Sequence, residues 1–309
     1  MQHEQPGLSD YGLLVLLAMI WGSSFLLQKV AVAEVPPVTL TAARQVLAAT
    51  IFAGILLWTG VRIRATPREH GLMFFSAIFG NALPFSLIST GLQDIDSGLA
   101  AVLMGAMPLL TIVFAHFATD DEKLNASKLM AVGLGVVGLA VLFWPALASG
   151  VTQNLSSQLI VFCAAVCYAV NSLITKRLIH LNVSMLMGTV VFWSALILVP
   201  AALFLETPPA RLPGAVASFS IVLLAASSTV AACFLIYALI ARQGAGFFGQ
   251  INLLVPLAGV FWGTLVLAEK LPWNAWVALC IILGGIAVSR NWNSNRKAVR
   301  PQQQTTGTK

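Results

Sequence analysis

Glu122-Lys-Leu and Glu269-Lys-Leu are the same three residues, placed 147 positions apart in a chain of 309 residues. Each precedes an apolar stretch, which reads Gly138-Leu-Ala-Val in one case and Gly285-Ile-Ala-Val in the other. A long passage that recurs at a fixed distance predicts a tandem duplication, here of a unit of about 150 residues.

Further matches extend the repeat through the rest of both units. At a separation of 147 positions Trp21 pairs with Tyr168 and Lys29 with Lys176, and at 148 positions Gly98 pairs with Gly246 and Pro108 with Pro256. One insertion or deletion accounts for the change of register. The matches predict a first repeat over 10–147 and a second repeat over 156–290.

The composition is that of an integral membrane protein. Apolar residues form 58% of the chain and charged residues only 9%, and the mean hydropathy is +0.88. A helix needs about 20 apolar residues to cross the hydrocarbon core of a bilayer. Ten stretches are long enough, and they lie near 11–32, 38–59, 70–90, 97–117, 128–147, 157–178, 184–205, 215–240, 246–268 and 273–290. The polar segment 291–309 is predicted to be a disordered cytoplasmic tail.

The distribution of basic residues predicts the orientation. With the N-terminus in the cytoplasm, 13 of the 17 Lys and Arg residues lie on the cytoplasmic side, which is the side that they favour. We expect a multi-pass protein of the cell inner membrane with both termini in the cytoplasm. No cleaved leader is expected, because Glu4 and Asp10 precede the first apolar run and no Lys or Arg does. The net charge of +6 reflects topology and attraction to anionic lipid rather than nucleic-acid binding.

Five spans per repeat is an odd number, so the second repeat must cross the membrane in the opposite sense to the first. Inverted repeats recur in secondary transporters, where the two halves exchange conformations around a site between them. A channel can be built in the same way, so the repeat favours transport without specifying the mechanism. The predicted fold is all-α and integral to the membrane, with ten transmembrane helices as two inverted five-helix repeats around a central cavity.

Two polar stripes mark the candidate binding site. One face of the first span carries Trp21, Ser24 and Gln28, and the equivalent face of the sixth carries Tyr168, Asn171 and Thr175. Polar groups are costly in lipid, so both stripes should face the interior of the bundle. They either line the cavity, which we favour, or serve as hydrogen-bonding contacts between helices.

The remaining candidates come from spans that should form the other walls. Pro84, Pro108 and Pro256 lie within spans three, four and nine, where proline removes a backbone hydrogen bond and bends a helix. Such kinks either act as hinges or are purely structural. Nearby polar, sulfur-containing and aromatic residues complete the predicted substrate-binding set: Asn81, Met104, Trp193, Tyr237, Gln250 and Asn252. For the two aromatic residues, packing is the simpler explanation.

Arg44 is the one basic residue well inside a predicted span. Its guanidinium can bind a substrate carboxylate through two parallel hydrogen bonds. Alternatively its side chain extends to the outer membrane interface, or pairs with backbone carbonyls at a helix end. The equivalent position in the second repeat, near Val191, is apolar, so the symmetry is broken at this point.

Several chemistries leave no trace in the sequence. There is no phosphate-binding loop of the type G-x-x-x-x-G-K-[ST], and the four His residues are scattered. No Asp or Glu lies in the middle of a predicted span, which argues against proton coupling through a carboxylate relay. Cys163 and Cys167 share a helical face, but two thiolates within a span rarely form a metal site, and Cys233 and Cys280 are most simply buried free thiols. We therefore predict no cofactor, no metal site and no catalytic residue.

Together these features resemble the EamA group of the drug/metabolite transporter superfamily. The resemblance is carried by Trp21-Gly-Ser-Ser-Phe, by Arg44 early in the second span, by the mid-span prolines and by the two Glu-Lys-Leu turns. It covers residues 10–290. Members of the group with ten spans include exporters of amino acids and other metabolites, among them aromatic amino acids. The resemblance implies the same class of function for this chain.

We interpret the chain as a monomeric secondary transporter that exports small metabolites by alternating access. The resemblance makes amino acids, including aromatic ones, the expected substrates. The expected partners are the small-molecule substrate and the lipid bilayer. The alternative is a membrane-embedded enzyme or a lipid-handling scaffold with no transport activity. An embedded cluster of acidic or His residues would have favoured the enzyme, and the sequence contains none.

Overall fold

The computed structural model describes residues 6–119, 123–149, 152–207, 209 and 211–298. These residues are mostly helical, and no β-strand occurs among them. The α-helices are α1 (Leu8–Val32), α2 (Pro37–Thr59), α3 (Pro67–Ala77), α4 (Leu83–Gly91), α5 (Ser97–Met104), α6 (Met107–Ala118), α7 (Ala126–Ser149), α8 (Thr152–Lys176), α9 (Val183–Leu205), α10 (Ala215–Leu223), α11 (Ala232–Phe248), α12 (Ile251–Val266) and α13 (Trp273–Ala298). Two segments of wider π-helix, Ile78–Ala82 and Leu224–Ala231, join α3 to α4 and α10 to α11.

Nine helical stretches in the described part of the chain are long and apolar enough to cross a membrane. They are Leu8–Val32, Pro37–Thr59, Pro67–Gly91, Ser97–Ala118, Ala126–Pro145, Leu155–Lys176, Val183–Leu205, Ala215–Gly244 and Gly246–Val266. The apolar stretch Trp273–Ser289, at the position of the tenth predicted span, is shorter. An all-helical membrane architecture is thus confirmed, while the count of ten spans stays a prediction.

Helix α13 differs from the prediction at its C-terminal end. It continues to Ala298, so residues 291–298, which were expected to be disordered, are helical. No glycine or proline lies between Gly285 and Ala298, and the residues there are compatible with a helix. The rest of the predicted tail, 299–309, lies outside the described residues.

The first π-helical segment is followed closely by a proline. Pro84 has no backbone N–H, so the carbonyl of Gly80 cannot receive the usual α-helical hydrogen bond. The amide of Leu83 donates to the carbonyl of Ile78, five residues back, which is the π-helical pattern. The predicted kink at Pro84 is therefore a widened turn in a continuous helical path.

The second π-helical segment contains no proline, and hydroxyl groups bond to its main chain instead. Ser227 donates to the carbonyl of Leu223 at 2.6 Å, and Thr229 donates to the carbonyl of Leu224 at 3.0 Å. Side chains that bond back to the helix in this way often bend it. Shifted by 148 positions, the first segment falls within the second. The two repeats therefore share this interruption, although the local chemistry differs.

The other two predicted kinks are unlike each other. Pro108 follows a break in the helical path at Gly105 and Ala106, between α5 and α6. Pro256 lies inside the continuous helix α12, and this span is interrupted earlier, at Gly249 and Gln250. Pro256 lies only five residues after the first residue of α12, so it removes a single hydrogen bond near the helix start.

Helices from both repeats share one hydrophobic core. The largest cluster of buried apolar residues includes side chains from α1, α4 and α5 in the first repeat and from α8, α12 and α13 in the second. Where α1 crosses α12, a methyl group at Gly22 would lie 2.5 Å from the Cβ of Ala258. A small residue at this crossing lets the two backbones approach closely, which is how helices gain contact in a membrane.

Hydrogen bonds between helix ends define the two ends of the bundle. Lys29, near the end of α1, donates to the carbonyl of Leu92 at 2.7 Å, and Ser157, near the start of α8, donates to Asp94 at 2.6 Å. We name this the Asp94 end. The opposite end, where α1 begins, is the Asp10 end. Helix α8 therefore begins at the end of the bundle where α1 finishes.

Candidate substrate-binding site

Arg44 lies in the interior of the bundle. Its side chain is only 2% exposed, so it does not extend to a membrane interface, as one of the sequence-based alternatives required. Nε donates a hydrogen bond of 2.9 Å to the hydroxyl of Thr229, and the guanidinium carbon lies 3.7 Å from the centre of the Phe85 ring. A cation over an aromatic face is an attractive arrangement. Nη1 has no hydrogen-bond partner among the residues that the structure describes.

The second π-helical segment positions Thr229 for this contact. The hydroxyl donates its proton to the carbonyl of Leu224 and accepts the hydrogen bond from Arg44. One hydroxyl can do both, because it carries one donor and two acceptor sites. Helix α2 packs against this segment. A cation of the first repeat is thus bound by a hydroxyl that the second π-helical segment positions.

Aromatic rings complete the surroundings of Arg44. Phe85 of α4 meets Tyr168 of α8 edge to face, with ring centroids 6.1 Å apart. The structure therefore brings two predicted site residues together through Phe85, which was not among the predicted residues. Phe85 directly follows Pro84, but no pattern distinguishes it from the other phenylalanines of a chain that has 17.

Two polar residues next in sequence to this group were also not predicted. Gln45 follows Arg44 and is completely buried, and neither its amide nitrogen nor its amide oxygen has a hydrogen-bond partner in the described part of the chain. The same holds for the hydroxyl of Ser86, which follows Phe85. Buried polar groups are almost always paired. Gln45 and Ser86 therefore each offer buried polar groups to a ligand or a water molecule.

The first predicted stripe makes contacts within and between helices. Ser24 donates to the carbonyl of Trp21 at 2.6 Å, and Gln28 donates to the carbonyl of Ser24 at 3.0 Å. The amide oxygen of Gln28 accepts from Ser89 of α4 at 3.1 Å. The ring of Trp21 meets Phe248 edge to face at 6.4 Å. In this structure Gln28 makes the helix-to-helix contact that was the alternative to cavity lining.

Asn171 of the second stripe packs against the first π-helical segment. Its amide oxygen accepts hydrogen bonds from Ser76 at 2.8 Å and from Thr175 at 3.5 Å. A methyl group at Gly80 would lie 2.5 Å from the amide nitrogen of Asn171, so the amide fills the space in front of the Gly80 backbone. Asn171 thus contacts the first π-helical segment much as Arg44 contacts the second.

Three other predicted residues lie in or beside packed helix contacts. Asn81 is half-buried within the first π-helical segment. Met104, at the end of α5, packs against the largest core cluster. Trp193 of α9 meets Phe74 of α3 at right angles, with centroids 5.5 Å apart. This is the packing role that was the simpler explanation for Trp193.

The last three predicted residues have fewer contacts. Tyr237 is 57% exposed, and no hydrogen bond or ring contact joins it to another described residue. Gln250 and Asn252 are half-buried beside the break between α11 and α12. No hydrogen bond joins their side chains to Arg44 or to any other residue within the described ranges. Their role in binding stays a prediction.

Asp10 has a structural setting that was not predicted. Its side chain is almost fully buried near the start of α1, where its carboxylate lies 2.9 Å from Nε of Arg242 and accepts a hydrogen bond of 2.8 Å from Gln243. Both partners lie in α11, so this contact joins the two repeats at the Asp10 end. An acidic residue in the first turn of a helix is expected from the helix dipole alone. The position of Asp10 in the sequence therefore did not predict its contact with α11.

At the Asp94 end, carboxylates of each repeat bind helix N-termini of the other. Glu206 accepts from amides at the start of α2, Glu269 from amides at the start of α5, and Glu34 from the amide preceding α10. Carboxylates there satisfy free N–H groups and the positive end of the helix dipole. Burial, and then the nearby negative charge of Glu269, raise the pKa of Asp96. The second Glu-Lys-Leu motif thus has an observed structural contact through Glu269.

Two other features of the surface and interior bear on function. A groove between α2 and α9 is lined almost entirely by apolar side chains, among them Ala43, Val46 and Leu203. It suits contact with lipid chains better than with a polar substrate. Within the described ranges, no three His, Cys, Asp or Glu side chains come together to hold a metal ion.

The sequence is similar to membrane transporters over nearly its whole length. The profile of the EamA-like transporter family matches residues 9–144 and again residues 155–290. The chain is 25% identical over 296 residues to the uncharacterized transporter YoaV of Bacillus subtilis (strain 168), covering 92% of this chain and 97% of that relative. It is 26% identical over 301 residues to a protein of Escherichia coli (strain K12) named as a probable amino-acid metabolite efflux pump, covering 94% and 98%.

The fold is also similar to one already solved. A crystal structure described only as that of a protein superimposes with a TM-score of 0.66 and 18% sequence identity. The match covers 94% of this chain and 99% of that chain. At this identity the likeness concerns the fold alone.

Proposed function

Because the chain belongs to the EamA-like transporter family, we propose that it is a secondary transporter that exports amino acids and related metabolites by alternating access. It is a multi-pass membrane protein, and the family and the names of its relatives indicate a transporter rather than an enzyme. The name of the E. coli relative, a probable amino-acid metabolite efflux pump, supports amino acids as the substrate class.

The buried guanidinium of Arg44 carries this proposal. It contacts a hydroxyl and an aromatic ring, and no carboxylate pairs with it among the described residues. A buried charge without a counter-charge is costly, and a bound anion removes that cost. The carboxylate of an amino acid is such an anion, and Nη1 is a donor that can receive it.

The residues near Arg44 suit the other two parts of an amino acid, its side chain and its ammonium group. Phe85 and Tyr168 offer aromatic surface beside the cation, which favours an apolar or aromatic side chain. The buried amide of Gln45 has both a donor and an acceptor without a partner, and its oxygen can accept from an ammonium group. We therefore assign the carboxylate to Arg44, with Trp21, Asn171 and the other predicted residues bordering the pathway.

The transport cycle that we propose needs two halves of opposite orientation. Helix α8 begins at the end of the bundle where α1 finishes, and the family profile matches the chain twice, which supports two inverted repeats of five spans. The excess of Lys and Arg at the Asp10 end supports a cytoplasmic location for that end and for both termini in an inner-membrane protein. The Asp94 end then faces outward.

Transport by purified protein in liposomes tests the proposal. We expect uptake of labelled aromatic amino acids into proteoliposomes, and weaker binding by Arg44→Lys, because an ammonium lacks the two-pronged geometry of guanidinium. The loss should be about tenfold for acids, within the range for charge-assisted hydrogen bonds. It should largely disappear for the corresponding esters and amides, which have no carboxylate.

Two controls make the result specific. Arg62→Lys makes the same chemical change at an exposed position and should leave transport unchanged. Tyr168→Ala should weaken aromatic substrates more than small ones, because it removes ring surface and not the cation. An equal response of Arg44→Lys to acids and esters would remove Arg44 from the binding site. Absence of transport for every amino acid tested would overturn the proposed substrate class.

A further inference from the structure

Asp10 and Arg242 join the first turn of α1 to the part of α11 that ends at a break in the helix at Gly244. Asp10 is 3% exposed, and one carboxylate oxygen lies 2.9 Å from Nε of Arg242. The other oxygen accepts from Gln243 at 2.8 Å and from the amide of Gly7 at 3.1 Å. Arg242 also donates to the hydroxyl of Ser9 at 3.1 Å. A buried carboxylate with this many donors holds the two helix ends together.

The internal repeat relates this contact to one at the opposite end. Asp10 corresponds to Ser157 at 147 positions, and Arg242 corresponds to Asp94 at 148 positions. Ser157 and Asp94 are themselves in contact, with the serine hydroxyl donating to the aspartate at 2.6 Å. The same two places of the repeat therefore meet at both ends of the bundle. At one end they form an ion pair, and at the other a single hydrogen bond.

At a second pair of places, helix ends that correspond in the two repeats also meet, although the contacting side chains themselves do not correspond. At the Asp94 end, Glu34 just after α1 accepts from the amide of Gly214, which immediately precedes α10. At the Asp10 end, His180 after α8 lies 2.7 Å from Glu69, which caps the start of α3 together with Thr66. Thr66 corresponds to Gly214 at 148 positions. The agreement of two independent contacts shows that equivalent helix ends meet at each end of the molecule.

We propose that Asp10–Arg242 and Asp94–Ser157 are the repeat-related latches of the two gates, one for each end of the pathway. This reading rests on the proposed alternating-access function. Each latch breaks when its end opens, and the two do so in turn. Because Asp10 is held by both Arg242 and Gln243, whereas Asp94 accepts from the single hydroxyl of Ser157, the pair is unequal, and the Asp10 latch biases the resting protein toward closure at that end.

Two buried residues one turn inside the latches report which end is open. Leu14 lies four residues after Asp10, and Val161 lies four residues after Ser157; they correspond to each other at 147 positions. Both are almost completely buried in this structure. Single cysteines at these positions, in a chain whose four native cysteines are replaced, become reactive to a water-soluble thiol reagent only when their end opens.

The test removes the Asp10 latch and measures both reporters without substrate. Asp10→Asn or Arg242→Gln should raise the labelling rate at position 14 by about tenfold and lower it at position 161, because opening of one end is tied to closure of the other. The charge-reversed pair D10R with R242D should return both rates toward those of the parent. Ser157→Ala should shift labelling in the opposite direction, by a smaller factor. Arg62→Gln, at an exposed position, is the matched control.

The outcomes separate this proposal from the proposed function. Unchanged labelling in both single variants overturns the Asp10 latch, and a rise at both reporters overturns it too, because it means general loosening. If a single variant does not fold, the charge-reversed pair decides. A folded double variant with the labelling rates of the parent supports the latch. A double variant with altered labelling rates at both positions 14 and 161 rejects it. If the parent protein transports no amino acid but the labelling rates change as expected, the proposed substrate class is rejected and the latch proposal stands.

Discussion

The two π-helical segments occupy equivalent places in the two repeats and hold different chemistry. In the first, the neutral amide of Asn171 fills the space before Gly80. In the second, Thr229 binds the buried cation of Arg44. Irregular helical turns of this kind are often found at functional sites. The comparison indicates that the two repeats share a distortion of the backbone and that the side chains in contact with it have diverged.

The local support for the two segments differs as well. In the first, Pro84 withholds a main-chain donor, whereas in the second the hydroxyls of Ser227 and Thr229 bond to main-chain carbonyls. A proline acts without using any side-chain hydrogen bond. A threonine that shapes the backbone can also bind Arg44. The second segment therefore couples backbone shape to the candidate binding group, and the first does not.

The largest effect is expected from Arg44→Gln, which removes the charge that distinguishes the second segment. Affinity for a substrate carboxylate should fall roughly 10–100-fold, the range for a charge-assisted hydrogen bond. Thermal stability in detergent should hold or rise, because the variant no longer buries a cation without a counter-charge. Transport assays and a melting curve measure the two. A melting temperature that falls together with transport would mean that Arg44 is structural.

Thr229→Val tests whether the second segment positions the cation. The change keeps the branched shape of the side chain but removes the acceptor for Arg44 and the donor to Leu224. Stability should fall by about 1–3 kcal/mol, because Nε of the buried guanidinium loses its partner. Transport should fall as well. Thr229→Ser keeps the hydroxyl and is the matched control; equal behaviour of the two variants would show that the hydroxyl has no part in holding Arg44.

Gly80→Ala probes the first segment in the same way. Its methyl group would lie 2.5 Å from the amide nitrogen of Asn171, so the amide must move. We expect a loss of about 1–3 kcal/mol in stability, the usual range for overpacking. Asn171→Ala in the same chain should relieve most of it, and thermal melting of the four proteins completes the cycle. Additive losses would show that the methyl group meets something other than Asn171.

The smallest effect is expected from Pro84→Ala. A new amide at position 84 can donate to the carbonyl of Gly80 and convert the π turn toward an α turn. Stability should change by less than about 1 kcal/mol, and affinity by less than about fivefold. Hydrogen exchange at residues 80–84 and a transport assay measure the two effects. Loss of transport comparable to that of Arg44→Gln would contradict the view that only the second segment is coupled to binding.

The helical membrane fold could be predicted from the sequence because its signals are long and redundant. Each apolar stretch has many residues, and errors in a few do not change the result. The repeat register was equally informative, since it placed Trp21 opposite Tyr168 and proline opposite proline. The repeat register did not predict the local structure at Pro256, which lies within the continuous helix α12 and does not interrupt it.

The site was predicted less completely, because a binding site depends on which side chains satisfy one another. Arg44 was identified as a charge within a span, but its partner Thr229, at the position equivalent to Asn81, carries no motif that would pair it with a cation. Gln45 was overlooked because a glutamine beside an arginine carries no period or motif. Its significance comes from the absence of a hydrogen-bond partner in the described structure, which sequence cannot show.

The carboxylates that bind helix ends across the two repeats bear on how the protein is made. Glu206 accepts from the amides of Val38 and Thr39, and Glu269 from those of Ser97 and Gly98. The ribosome synthesises the first repeat well before either glutamate exists. Until then, the starts of α2 and α5 must find other acceptors, such as water or lipid head groups. The first half of the polypeptide is thus inserted in an unfinished state, and its assembly is completed by residues that leave the ribosome later.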